Sequence, residues 1–246
     1  KLIFEHPRYD LTSVNYDDGQ LASVSFLAHG RLEQQFFTDQ QQKLQQQLRQ
    51  FFPDEQWLVI DTHAKEHLLF VFSSTNPGQY FLYEQGSKPQ LIGSVLPDLS
   101  KYQLSPSIKL CVKGRDNLAI ESLLTLPTQK GKSAPPLLVM PHGGPIGIQD
   151  TDGFDPTVQF LASRGYAVLR TNFRGSAGYG KKFSEKGVAA LGDGIEQDIR
   201  GAVELVRKEY KTDRACAMGY SYGGYSAMML AIKEPDFYQC VIAGYG

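Results

Sequence analysis

Short apolar or alternating runs recur through the first hundred residues: LASVSF (21–26), QWLVID (56–61), HLLFVFSS (67–74) and QYFLYEQ (79–85). Turn clusters, YDDGQ (16–20) and STNPGQ (74–79), separate them. Runs of this length between turn residues predict β-strands, and their even spacing predicts a sandwich, barrel or propeller blade. One segment breaks the pattern. In TDQQQKLQQQLRQFF (38–52), Leu44, Leu48 and Phe51 or Phe52 recur at i, i+4 and i+7 or i+8. That spacing gives a helix one apolar stripe and leaves the glutamines on its wet face.

Beyond residue 105 the texture changes. IKLCVKG (108–114) and LAIESLLTLP (118–127) predict two antiparallel strands, followed by the polar linker TQKGKSAPP (128–136). Then come LLVMPHGG, PTVQFLASRG, YAVLRTNF, a longer helix at 194–210, the apolar ACAM (215–218), a helical YSAMMLAIKE, and YQCVIAGYG. Buried strands alternating with helices predict a parallel sheet covered on both faces. The chain therefore divides into a β-rich part, 1–105, and an α/β part, 106–246.

Twenty-five basic and 26 acidic residues leave a net charge of −1, which argues against a nucleic-acid partner. No apolar run approaches the ~18 residues of a membrane span. The opening KLIFEHPRYD has neither an initiator Met nor a signal pattern and reads as mid-chain. A cytoplasmic location is favoured, with a periplasmic one left open. Three cysteines, Cys111, Cys216 and Cys240, are too few and too scattered for a disulfide framework. Cys216 and Cys240 lie in apolar runs and read as small core residues.

The chemistry concentrates in GYSYGGY (219–225), where Ser221 is centred in a G-x-S-x-G frame. A nucleophilic serine of this kind sits on a strained strand-to-helix turn, so small residues are needed two positions either side. Gly219 and Gly223 supply them, with a strand before and a helix after. The Tyr222 N–H would point into an oxyanion hole. MPHGGP (140–145) also follows a strand, and its glycines would let the backbone approach a substrate carbonyl. His142 is expected to brace that loop. The bland alternative is a glycine-rich turn whose serine caps the next helix.

In that order, HGGP, NFRGSAGYG (172–180) and GYSYGGY resemble the prolyl oligopeptidase family, in particular its acylaminoacyl-peptidase-like branch. The stretch FVFSSTNPGQYFLYE (70–84) through LTLP is similar to that family's junction between β-propeller and hydrolase domain. The resemblance covers about residues 55–246. It implies an α/β-hydrolase domain preceded by the last part of a propeller. It also implies serine peptidase activity on short peptides or acyl-peptides, with no metal or organic cofactor. Ser221 would be the nucleophile. The N–H groups of Tyr222 and Gly144 would form the oxyanion hole, and Arg174 would be structural. The family's catalytic Asp and His follow the nucleophile. Only Glu234 and Asp236 are acidic after Ser221, and no histidine follows. The resemblance therefore implies a chain incomplete at both ends, nearly inactive alone. Its longer protein would be an active hydrolase whose oligomeric state is open.

Other signals are weaker. HAKEH (63–67) matches H-x-x-E-H, but its flanks read as strand, turn, strand, which would not converge two rings on one ion. GSAGYGKK (175–182) resembles a P-loop except that Lys182 stands where Ser or Thr would bind Mg²⁺. GKS (131–133) belongs to the linker. Glu196, Asp198, Arg200 and Glu204 lie between apolar positions and read as a solvated helix face. No paired glutamates suited to a free amino terminus stand out, so dipeptide release is not indicated. The rival functions are an esterase on the same fold and a non-catalytic binding module.

Overall fold

The computed structural model describes residues 2–17, 19–114, 116–129, 131, 133–212 and 214–246. Asp18 of YDDGQ and Lys132 of GKS lie outside the described residues. The chain forms two compact units: Leu11–Gln103 with Asp152–Asp155, and Leu104–Thr151 with Pro156–Gly246 and the residues up to Asp10.

The first unit is antiparallel. β1 (Leu11–Asp17), β2 (Gln20–Ala28) and β3 (Arg31–Phe36) pair in sequence order. Helix α1 (Asp39–Phe51) follows, capped by Thr38, whose side chain accepts from Gln41 N. Strands β4 (Gln56–His63), β5 (Glu66–Ser73), β6 (Asn76–Glu84) and β7 (Gln90–Ser94) form a four-stranded meander. Residues alternate strictly between buried and less buried along β5, as a strand with one face on a core must. That core joins Leu44 and Leu48 of α1 to Phe36, Trp57, Leu69, Val71 and Tyr83. HAKEH is the β4–β5 turn: His63 pairs with Glu66, while His67 is buried and bonds the Thr62 hydroxyl at 3.0 Å.

The second unit is an α/β layer. Strands β8 (Ser107–Lys113), β9 (Ala119–Thr125) and β10 (Leu137–Val139) lead to α2 (Pro156–Ser163) and β11 (Ala167–Asn172). Then come α3 (Lys181–Glu185), α4 (Gly194–Tyr210), β12 (Ala215–Tyr220), α5 (Tyr222–Lys233) and β13 (Tyr238–Gly244). The six strands lie in the order β13-β12-β10-β11-β9-β8. From β13 to β11 they are parallel, and β8 and β9 join as an antiparallel pair. Leu137, Val139, Ala167, Leu169, Ala215 and Ala217 meet α4 and α5 in one core. Leu138, Val168 and Leu123 alternate with members of that core and are also buried, so they face the other side, where α2 buries Val158 and Ala162 against β9 and β11.

Three expectations from the sequence need correction. Residues 2–10 belong with the α/β unit rather than with the β-rich half. Tyr9 Oη donates to Glu121 Oε1 at 2.6 Å, Arg8 pairs with the same carboxylate at 2.7 Å, and Gly180 N donates to Asp10. Cys216 and Cys240 are not separate core residues. They face each other in register on β12 and β13 and form a disulfide. Glu196 and Asp198 are not solvated: they are 2% and 0% exposed, because α4 turns them toward partners from distant loops.

Candidate active site

Parallel-sheet order reverses at β10. The chain leaves β10 for β11 on one side and later returns to β12 on the other. At such a switch point the loops leaving neighbouring strand ends part, and a crevice opens at the carboxyl edge. Here the loop after β10 is HGGP and the turn after β12 carries Ser221.

The turn is as tight as the glycine spacing requires. Ser221 adopts φ 54° and ψ −130°, a conformation rare for a residue with a Cβ. Its N–H donates to Gly244 O at 2.8 Å, and its carbonyl accepts from Gly224 N at 2.9 Å. A Cβ on Gly219 would collide with the Gly223 backbone, and one on Gly223 with Pro141 O. Ser221 itself is exposed at the start of α5. Its side chain is therefore presented rather than spent as a cap, and no cap bond is made to the helix.

The HGGP loop runs beside it. A methyl group on Gly143 would lie 3.6 Å from Tyr220 O and 3.8 Å from Ser221 Cβ. Gly144 has φ 116°, a region that favours glycine. The loop is held by His142, whose ring stacks on Phe173 with centroids 4.1 Å apart. Nδ1 lies 2.7 Å from Gly143 O and must donate, since a carbonyl can only accept. Nε2 then accepts from the buried Ser176 hydroxyl at 2.8 Å. Burial pushes the His142 pKa below its usual value, which keeps the ring neutral and suits this tautomer. Both nitrogens are occupied within the loops, so the ring acts as a strut.

NFRGSAGYG lies against the same loop: Gly147 N donates to Gly175 O and Ala177 N to Ile148 O. Arg174 and Tyr179 anchor it further. Arg174 makes a two-pronged pair with Asp198, Nε to Oδ2 at 2.8 Å and Nη2 to Oδ1 at 2.7 Å. Tyr179 Oη accepts from Asn172 and donates to Glu121 Oε2 at 3.1 Å. Burial, helped by the Glu121 charge, pushes the Tyr179 pKa well up, so the phenol stays protonated as a donor. Lys181, the P-loop-like lysine, is 86% exposed and pairs with Glu185.

Glu196, missed in the sequence as a site residue, is bonded to the residue that follows Ser221. Its Oε1 accepts from Tyr222 Oη at 3.2 Å, and its Oε2 is buried without a hydrogen-bond partner among the described residues. Nothing local in IEQDI signals this, because the partner is 26 residues away. Among the described residues no cluster of three or more His, Cys, Asp or Glu side chains could hold a metal, and no helix is long and apolar enough to cross a membrane.

An exposed serine on a strained strand-to-helix turn, flanked by a glycine-rich loop at the switch point of an α/β sheet, defines the class: a serine-hydrolase type of site. A profile of the prolyl oligopeptidase family, Peptidase S9, matches residues 152–246. Dipeptidyl peptidase family member 6 of Caenorhabditis elegans is 33% identical over 192 residues, 68% of this chain and 26% of the relative. Dipeptidyl aminopeptidase BIII of Pseudoxanthomonas mexicana is 33% identical over 198 residues, 76% of this chain and 27% of the relative. In three dimensions the chain superposes on Pyrococcus horikoshii acylaminoacyl peptidase with a TM-score of 0.70 at 19% identity, covering 96% of this chain and 37% of that one. The chain thus spans about a quarter of the length of the curated relatives named here.

Proposed function

We propose that these residues belong to a serine peptidase that cleaves short peptides or acyl-peptides through an acyl-enzyme on Ser221. The observation that carries the reading is the strained, exposed Ser221 with the Gly143–Gly144 backbone alongside. In the proposed reaction Ser221 Oγ attacks the scissile carbonyl carbon and gives up its proton to a base. The N–H groups of Tyr222 and Gly144 receive the oxyanion. The leaving amine takes the proton, and water then releases the acyl group. Both nitrogens of His142 are engaged elsewhere, so base and acid are proposed to come from outside residues 1–246. On the same reading, residues 11–103 are the last part of a β-propeller and the α/β unit is the first half of a hydrolase domain.

Two relatives are named for dipeptide release, and this favours a second reading on substrate. Rates on a free-amino dipeptidyl anilide and on its N-acetylated counterpart separate the two. A matched ester separates peptidase from esterase. The primary test is fluorophosphonate labelling of the full-length polypeptide, with the adduct mapped by mass spectrometry. The expected result is one adduct on Ser221, lost together with turnover in Ser221→Ala. A full-length protein that stays unlabelled while a control hydrolase labels to completion overturns the proposal.

A further inference from the structure

Glu196 is an acid buried beneath the nucleophile turn, and the chemistry above does not use it. It is 2% exposed and sits in the first turn of α4. Burying a carboxylate is costly unless its hydrogen bonds are specific, so its placement calls for a role. Its bonded partner is the Tyr222 hydroxyl at 3.2 Å. The phenol donates to Glu196, so its far end is tethered to α4. Its ring is further confined by Phe173, 6.0 Å away, and by Tyr225, 5.5 Å away.

Tyr222 is the first residue of α5, immediately after Ser221. A side chain held at its far end limits rotation about its own Cα and fixes the peptide plane before it. That plane carries the N–H proposed as an oxyanion donor. We infer that Glu196 is a positioning residue: through the Tyr222 hydroxyl it sets the direction of the Tyr222 N–H toward the developing oxyanion. This rests on the proposed function, and the assay below separates the two.

The inference is tested by kinetics on a peptide anilide with full-length variants, with fluorophosphonate labelling of Ser221 measured in parallel. Tyr222→Phe keeps the ring and removes only the hydroxyl. An oxyanion donor acts in the transition state, so kcat falls about tenfold or more while KM holds. Glu196→Ala gives a similar loss, and Glu196→Gln, which keeps an acceptor, recovers most of it. The double variant Glu196→Ala/Tyr222→Phe is no slower than either single, as expected for one shared contact. A general structural role would instead lower the melting temperature and combine additively. If Glu196→Ala fails to fold, Tyr222→Phe alone decides. A labelled, active wild type with Tyr222→Phe at wild-type kcat overturns the positioning role and leaves the peptidase reading standing. An unlabelled, inactive wild type overturns both.

Discussion

Helices α1 and α4 carry similar apolar stripes with polar residues between them, and they handle those polar residues differently. In α1, Leu44 and Leu48 are buried, while Gln46 stays exposed and Gln42, Gln45 and Gln47 reach back to Phe36 O, Gln34 O and the Tyr83 hydroxyl. In α4, five apolar residues are buried together with Glu196 and Asp198. Periodicity describes both helices equally well. It cannot tell a polar residue that faces water from one that faces a partner far along the chain. Asp198 meets Arg174 and Glu196 meets Tyr222, separations of 24 and 26 residues. A helix face is wet or dry according to what packs on it, and only the α4 face meets loops of the site.

The sharpest way to break this contrast is Asp198→Ala. It removes the two-pronged partner of a guanidinium that is only 14% exposed and leaves it only the exposed Asp116 at 3.2 Å, so unfolding stability should fall by about 3 kcal/mol in a denaturant titration. A loss near zero would mean that the α4 acids are as dispensable as the α1 glutamines. Leu48→Ala comes next, as the apolar control in the other unit. Leu48 is fully buried, and its truncation should cost about 2–3 kcal/mol by the same measurement.

A smaller effect is expected from acid. Burial lowers the pKa of His142 and of His67, one in each unit, below the ordinary 6.5. The unfolded chain then takes up protons first as pH falls. Stability is therefore full above about pH 6.5 and declines below it. Melting temperatures at pH 7.5 and 5.5 should differ less in His142→Gln than in wild type, and an unchanged difference would remove His142 as a cause. Smallest of all is Arg200→Ala. Arg200 is 55% exposed beside Glu204, so its loss should change stability by about 0.5 kcal/mol or less.

Much of the fold was legible because it is local. The α1 and α4 stripes, the β4–β5 hairpin behind HAKEH and the strand and helix around Ser221 all follow from period and glycine spacing within about a dozen residues. What was not legible depends on the order of strands. Residues 121–125 pair with 168–172, and Cys216 with Cys240, only because of how the sheet is threaded. The docking of residues 2–10 depends on Glu121, more than a hundred positions away. The candidate site divides in the same way. Its glycines and the bracing role of His142 announce themselves in sequence, whereas the acid at Glu196 becomes visible only once α4 and α5 are placed side by side.

The backbone at Ser221 also has an evolutionary meaning. A residue with a side chain held at φ 54° and ψ −130° costs on the order of 1–3 kcal/mol that glycine would not. A drift to glycine at position 221 would thus be favoured by folding alone, and the chain would gain robustness by discarding the hydroxyl. On the proposed role of Ser221 as nucleophile, a serine kept at such a position would mark selection for reactivity acting against selection for stability, and lineages released from the first should lose the hydroxyl before they lose the turn.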